Sequence, residues 1–104
     1  MISNDIKNAR AAENLNSMKM QFIGDFKTAY TNYHKSIQLS AYYNRNDKHE
    51  LAKSCDILAD KWEQRLLYVR DILTYMFDMS SDDFKPIAKE SWEAVIKEIP
   101  DLKA

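Results

Sequence analysis

From residue 15 to residue 76 the chain reads LNSMKMQFIGDFKTAYTNYHKSIQLSAYYNRNDKHELAKSCDILADKWEQRLLYVRDILTYM. The polar tetrad Asn44, Arg45, Asn46, Asp47 divides it into two apolar patterns. Before the tetrad, apolar residues recur as Leu15, Met18, Phe22, Phe26, Ala29, Tyr33 and Ile37. After it they recur as Leu51, Cys55, Leu58, Trp62, Leu66, Val69, Leu73 and Met76. Spacing by three and four puts each set on one face of a helix. A connection this short makes the two helices antiparallel neighbours, so the pattern predicts a helical hairpin.

Working outward, helix one is expected to start at Ser3 or Asn4, both good capping residues, and to run to about Tyr43. Its stripe continues in register through Gly24, from Phe22 to Phe26. That predicts a continuous helix, with a close helix contact as the reason for the missing side chain. A kink is the competing expectation, since glycine costs about 1 kcal/mol against alanine in a helix. The steps of 3, 4, 4, 3, 4, 4 from Leu15 to Ile37 form an eleven-residue repeat. Such a repeat favours nearly straight packing over a heptad supercoil.

Asp47 is a candidate cap for helix two, with Glu50 three residues on. Helix two should reach about Asp78. Ser80 and Ser81 then interrupt; Asp82 and Asp83 suit the start of a third helix, but Lys85 before Pro86 is biased away from helix. The regular part of helix three is therefore expected to begin at Pro86 and to stop at Pro100. It carries Ile87, Ala88, Trp92, Val95, Ile96 and Ile99. The fold class that follows is all-α: one domain over residues 1–104, a long antiparallel hairpin with a short third C-terminal helix. A short helix cannot shelter a rod of roughly 60 Å. It should pack near the open end and leave the tip, about Tyr30 to Leu58, as a bare two-helix projection. Dimerisation to a four-helix-type bundle would complete the shelter.

Composition narrows the function classes. A 45% hydrophobic and 30% charged chain is that of a soluble globular domain. One glycine leaves no phosphate-cradling loop. The formal net charge of -1 suits neither a DNA mimic nor a histone-like binder. The N-terminal MISNDIKNAR is no signal peptide, and no apolar run is long enough to span a membrane. A cytoplasmic location is expected. Frequent Asn, Lys, Ile and Tyr suit an AT-rich coding sequence, such as that of a low-GC bacterium or a phage.

Candidate chemistry is sparse. Cys55 is the single cysteine and lies on an apolar stripe, which marks a small buried hydrophobe. His34 and His49 flank the turn, but the Glu-x-x-His tetrad of metal-binding bundles is absent, and no metal or cofactor is expected. Asp56, Asp60 and Glu63 sit among Lys53 and Lys61 as a solvated face, so an enzyme is not expected. Trp62 reads as core, and Trp92 lies on a helix whose outer face is open.

The tip offers more. From Phe26 to Asn46 there is no acidic residue, while Lys27, Lys35, Arg45 and His34 alternate with Tyr30, Tyr33, Tyr42 and Tyr43. Tyrosine and arginine are favoured at protein interfaces. Tyr30, Tyr33, Lys35, Tyr42, Tyr43 and Arg45 are thus the candidate partner-binding residues of a non-enzymatic interaction factor. An inhibitor, adaptor or chaperone-like protein would fit, including one encoded by a phage or mobile element. The partner would be another protein, a second copy, or both. The alternative is a nucleic-acid-binding module using the same tip. Three fixed positive charges are few beside the roughly six to ten phosphate contacts of a strong binder. The segment from Asp78 onward holds seven acidic residues and four lysines, which sets a mild charge dipole against the basic tip.

Overall fold

The protein is described by a computed structural model over residues 4–99, with side chains from Arg10 onward. Three helices follow in order: α1 over Asn4–Arg45, α2 over His49–Phe77 and α3 over Ser81–Glu98. They form an elongated body of 68 × 25 × 21 Å, with no strand among the described residues. The capping side chains expected at Ser3 and Asn4, and the stop at Pro100, lie outside what is described.

α1 is unbroken through Gly24. The reason is not a close helix contact, as the spacing suggested. Gly24 is exposed, and a Cβ built there would meet nothing within 4 Å. The helix tolerates the glycine because the residues on either side, Phe22 and Phe26, are anchored against other helices.

The turn between α1 and α2 differs from expectation in one respect. Asp47 is not the cap of α2. It takes a left-handed backbone with φ of 58°, and Lys48 stands at the cap position without a side-chain hydrogen bond. The turn is closed instead by the Lys48 N–H donating to the Tyr43 carbonyl at 2.8 Å. His49 Nδ1 meets Asn44 Oδ1 at 3.0 Å across the same turn.

α2 lies antiparallel along α1. Ser40 donates to Asp56 at 2.6 Å, Arg65 to Asp25 at 3.3 Å, and the rings of Phe22 and Phe77 are 6.1 Å apart. Near the turn the interface is built from small side chains: Ser36, Ser40, Ala52, Cys55 and Ala59 are all buried. Toward the open end it becomes a core of Phe26, Val69, Leu73 and Met79, joined by Phe22, Tyr30, Leu66, Phe77, Phe84 and Ile87. Leu73 and Val69 are fully buried there.

α3 begins earlier than the proline suggested, at Ser81 rather than Pro86. The Asp83 carboxylate accepts the Ser80 N–H at 2.8 Å and the Ser80 hydroxyl at 3.1 Å. That capping interaction secures a first turn ahead of the proline. Asp78 reverses the chain in a left-handed conformation with φ of 54°, and Met79 plugs into the core behind it.

The placement of α3 is the chief departure from expectation. It packs on α1 and does not come alongside α2. Lys27 pairs with Glu90, and eight residues further along both helices Lys35 pairs with Glu98. Equal steps in the same direction make α3 parallel to α1. It starts beside Phe26, whose ring is 5.1 Å from that of Phe84, and runs toward the turn rather than staying at the open end. The bare two-helix projection therefore does not begin at Tyr30. It begins beyond Lys35, and the larger unsheltered length lies at the other end of α1.

Candidate functional site

The six candidate residues fall into two groups of three. Tyr30, Tyr33 and Lys35 lie where α2 and α3 cover α1. The Tyr30 ring is 6.0 Å from Phe26 and 4.4 Å from His34. The Tyr33 phenol faces Glu63, whose hydrogen bond, followed by burial, holds its pKa above the ordinary tyrosine value. Lys35 is ion-paired with Glu98. Tyr42, Tyr43 and Arg45 stand at the turn, clear of α3. Tyr42 is exposed and Tyr43 half-buried, their rings edge to face at 5.6 Å. Arg45 is exposed in the last turn of α1.

The stretch without acids in the sequence is not without acids in space. α2 brings Asp56 to Ser40 and Glu63 to Tyr33, while α3 brings Glu90 to Lys27 and Glu98 to Lys35. Polar and basic groups that looked poised for a partner are met by the chain's own carboxylates. Among the candidates, Tyr42, Tyr43 and Arg45 remain as outward-facing groups.

His34 sits inside this arrangement. Its ring lies 5.0 Å from Tyr33 and 5.6 Å from Trp92, edge-on to both. Burial lowers its pKa below the usual histidine value. Trp92, half-buried, is thus the residue by which α3 grips the aromatic middle of α1. Trp62 is half-buried as well. Cys55 is buried, and burial, then the neighbouring Asp56 charge, raises its thiol pKa. A raised pKa leaves little thiolate and an unreactive sulfur. His49 is exposed and stays at the turn with Asn44, away from Trp92. Among the described residues no three His, Cys, Asp or Glu side chains converge to hold a metal ion. No described helix is long and apolar enough to cross a membrane.

Two exposed surfaces carry large apolar side chains. The first is the overhang of α1. Phe77 closes α2 at the level of Phe22, and Lys19 approaches Asp83 at the start of α3. N-terminal to this, every α1 side chain from Arg10 to Met18 is exposed, Leu15 to 55% and Met18 to 42%. The second is the outer side of α2, where Leu51, Leu58, Tyr68, Tyr75 and Met76 are exposed, Tyr75 to 81%. The apolar residues of α2 lie on more than one side, and because α3 packs on α1 those on the outer side stay uncovered.

No protein-family model, curated protein or solved structure matches this chain.

Proposed function

We propose that this chain is a non-enzymatic protein–protein interaction factor of the cytoplasm, of the inhibitor or adaptor kind, that pairs with a second copy through the overhang of α1. The observation that carries the reading is the unsheltered apolar stripe of Leu15 and Met18. The stripe continues in register with Phe22 and Phe26, which other helices do cover. A helix of about 15 residues is marginal in water unless its apolar face is packed. Two overhangs laid antiparallel about a twofold axis would each gain that packing and would build a four-helix section with the open ends of both hairpins. Tyr75 and Met76 lie at the same end and would widen the contact.

Tyr42, Tyr43 and Arg45 at the turn, at the opposite pole from the overhang, are then free for a foreign protein. The nucleic-acid alternative loses ground, because Lys27 and Lys35 are neutralised by Glu90 and Glu98 and Asp47 flanks Arg45.

Sedimentation equilibrium tests the pairing. The unaltered protein should show the mass of two chains at micromolar concentration. Leu15→Asp with Met18→Asp should return the mass of one chain, with the helical circular dichroism of the hairpin retained. A single-chain mass for the unaltered protein up to the highest soluble concentration would refute it.

A further inference from the structure

The two halves of α3 are held differently. The first half is tied into the core. Phe84 and Ile87 pack against the cluster of Phe26, Val69, Leu73 and Met79, and the Ser80–Asp83 cap fixes the first turn. The second half has α1 as its only helical neighbour. Ser91, Val95 and Ile99 are buried there, and Glu98 pairs with Lys35 at the edge. Between them Trp92 meets the ring of His34 at 5.6 Å. On the α1 side that ring lies 4.4 Å from Tyr30 and 5.0 Å from Tyr33. Aromatic rings from two helices thus surround the one kind of side chain that ordinarily titrates near neutral pH.

The neutral imidazole suits this place as one more flat ring. The imidazolium does not. It carries a charge and two N–H donors, and taking a charge out of water is costly unless a partner meets it. The charged groups of each neighbouring element are engaged elsewhere or have the wrong sign. On α1 itself the nearby Lys27 and Lys35 are cations. On α3, Glu90 pairs with Lys27 and Glu98 with Lys35. On α2, Glu63 and Asp60 act on the Tyr33 phenol. Among the described residues no ion pair or hydrogen bond reaches the His34 side chain.

We propose that His34 is an acid-operated latch: neutral, it holds the C-terminal half of α3 against α1; protonated, it lets that half lift while the α1–α2 hairpin stays closed. Burial keeps the docked ring below the usual histidine pKa, so the lifted state binds the proton more readily. Docking is therefore strongest above the usual value of about 6.5 and weakens as pH falls through it. Lifting is confined to the second half because Phe84, Ile87 and the cap hold the first. The Asp83 carboxyl has its own pKa lowered, so the cap stays ionised in this range. The latch stands apart from the pairing through the overhang, which lies N-terminal to Phe22.

Amide hydrogen exchange on the full chain, read as protection relative to the intrinsic rate at each pH, tests it. From pH 7 to pH 5, on either side of the usual histidine value, protection of the amides from Trp92 to Glu98 should fall at least about threefold. Protection of the α2 amides from Val69 to Leu73 should hold. His34→Phe keeps a ring in place and takes no proton, and should abolish the pH response. His49→Gln, at the exposed histidine, should leave it intact. In Trp62→Phe, where Trp92 is the one remaining tryptophan, acid should move the emission to the red as the indole meets water. The proposal is overturned if α3 protection is the same at both pH values, or falls only in step with α2. It is equally overturned if His34→Phe keeps the response, or if acid quenches Trp92 with no red shift, which would mean that His34 takes its proton in place.

Discussion

The two halves of α1 carry the same kind of stripe and meet opposite fates. From Phe22 to Ser40 the helix is flanked by α2 and α3, and its aromatic rings, its two lysines and Ser40 find partners within the chain. N-terminal to it the stripe goes on only to Met18 and Leu15, and every side chain from Arg10 to Met18 is exposed. The difference lies in the connection after α2 rather than in α1. Asp78 and the Ser80–Asp83 cap turn the chain back toward the hairpin turn, so the third helix shelters the middle and abandons the end. An amphipathic pattern thus reports that a face needs covering. It does not report which molecule covers it.

The sharpest way to break this contrast is to truncate one side chain of the core that covers the middle of α1 and one of the overhang stripe. Leu73→Ala removes a fully buried side chain from the core against Phe26 and should cost about 2–5 kcal/mol in urea unfolding. For a domain of marginal stability that is a large share. Leu15→Ala, on the same kind of pattern, should change the stability of the isolated chain by less than about 0.5 kcal/mol. Equal losses at the two positions would erase the distinction.

Trp92→Ala probes how firmly α3 holds the middle. Trp92 is half-buried against His34, so the loss should be about 2 kcal/mol, below that of a fully buried aromatic. Tryptophan fluorescence during unfolding would separate it from Trp62.

Acidity tests the same contact. Burial lowers the His34 pKa, so the unfolded chain binds the extra proton more readily than the folded one. Stability from this residue is present above the unfolded value of about 6.5 and falls as pH drops through it. Lys27 and Lys35, held by Glu90 and Glu98, lie on the same helix and add no relief for an imidazolium. Thermal unfolding should shift down between pH 7 and 5, and His34→Gln should flatten that part of the profile. The Asp83 carboxyl has its pKa lowered by the Ser80 N–H and then the Ser80 hydroxyl. Its contribution is present above the unfolded value of about 4 and is lost only at more acid pH.

The smallest effect is expected at Gly24. With open space around its missing side chain, Gly24→Ala should stabilise α1 by about 0.5–1 kcal/mol in the same urea titration. A loss instead would mean that something covers that position in solution.

Much of the fold was legible in the sequence. The apolar periods of Leu15 to Ile37 and Leu51 to Met76, and the polar tetrad between them, specify the hairpin without help from tertiary contacts. The trajectory of α3 was not legible, because it depends on the φ of one aspartate and on where a four-residue cap starts a helix ahead of Pro86. The candidate site was legible only in part. Counting acids along the chain left Tyr33 and Lys35 without partners, but Glu63 and Glu98, distant in sequence, arrive beside them through packing. Tyr42, Tyr43 and Arg45 stand at the turn, a position that local geometry alone decides.

Backbone hydrogen exchange along α1, measured at low and at high protein concentration, tests the central claim most directly. Amides between Phe26 and Ser40 should exchange slowly and equally at both concentrations. Those between Arg10 and Met18 should exchange fast when dilute and become protected when concentrated, as the overhang pairs. Overhang amides that exchange at one rate whatever the concentration would contradict the account.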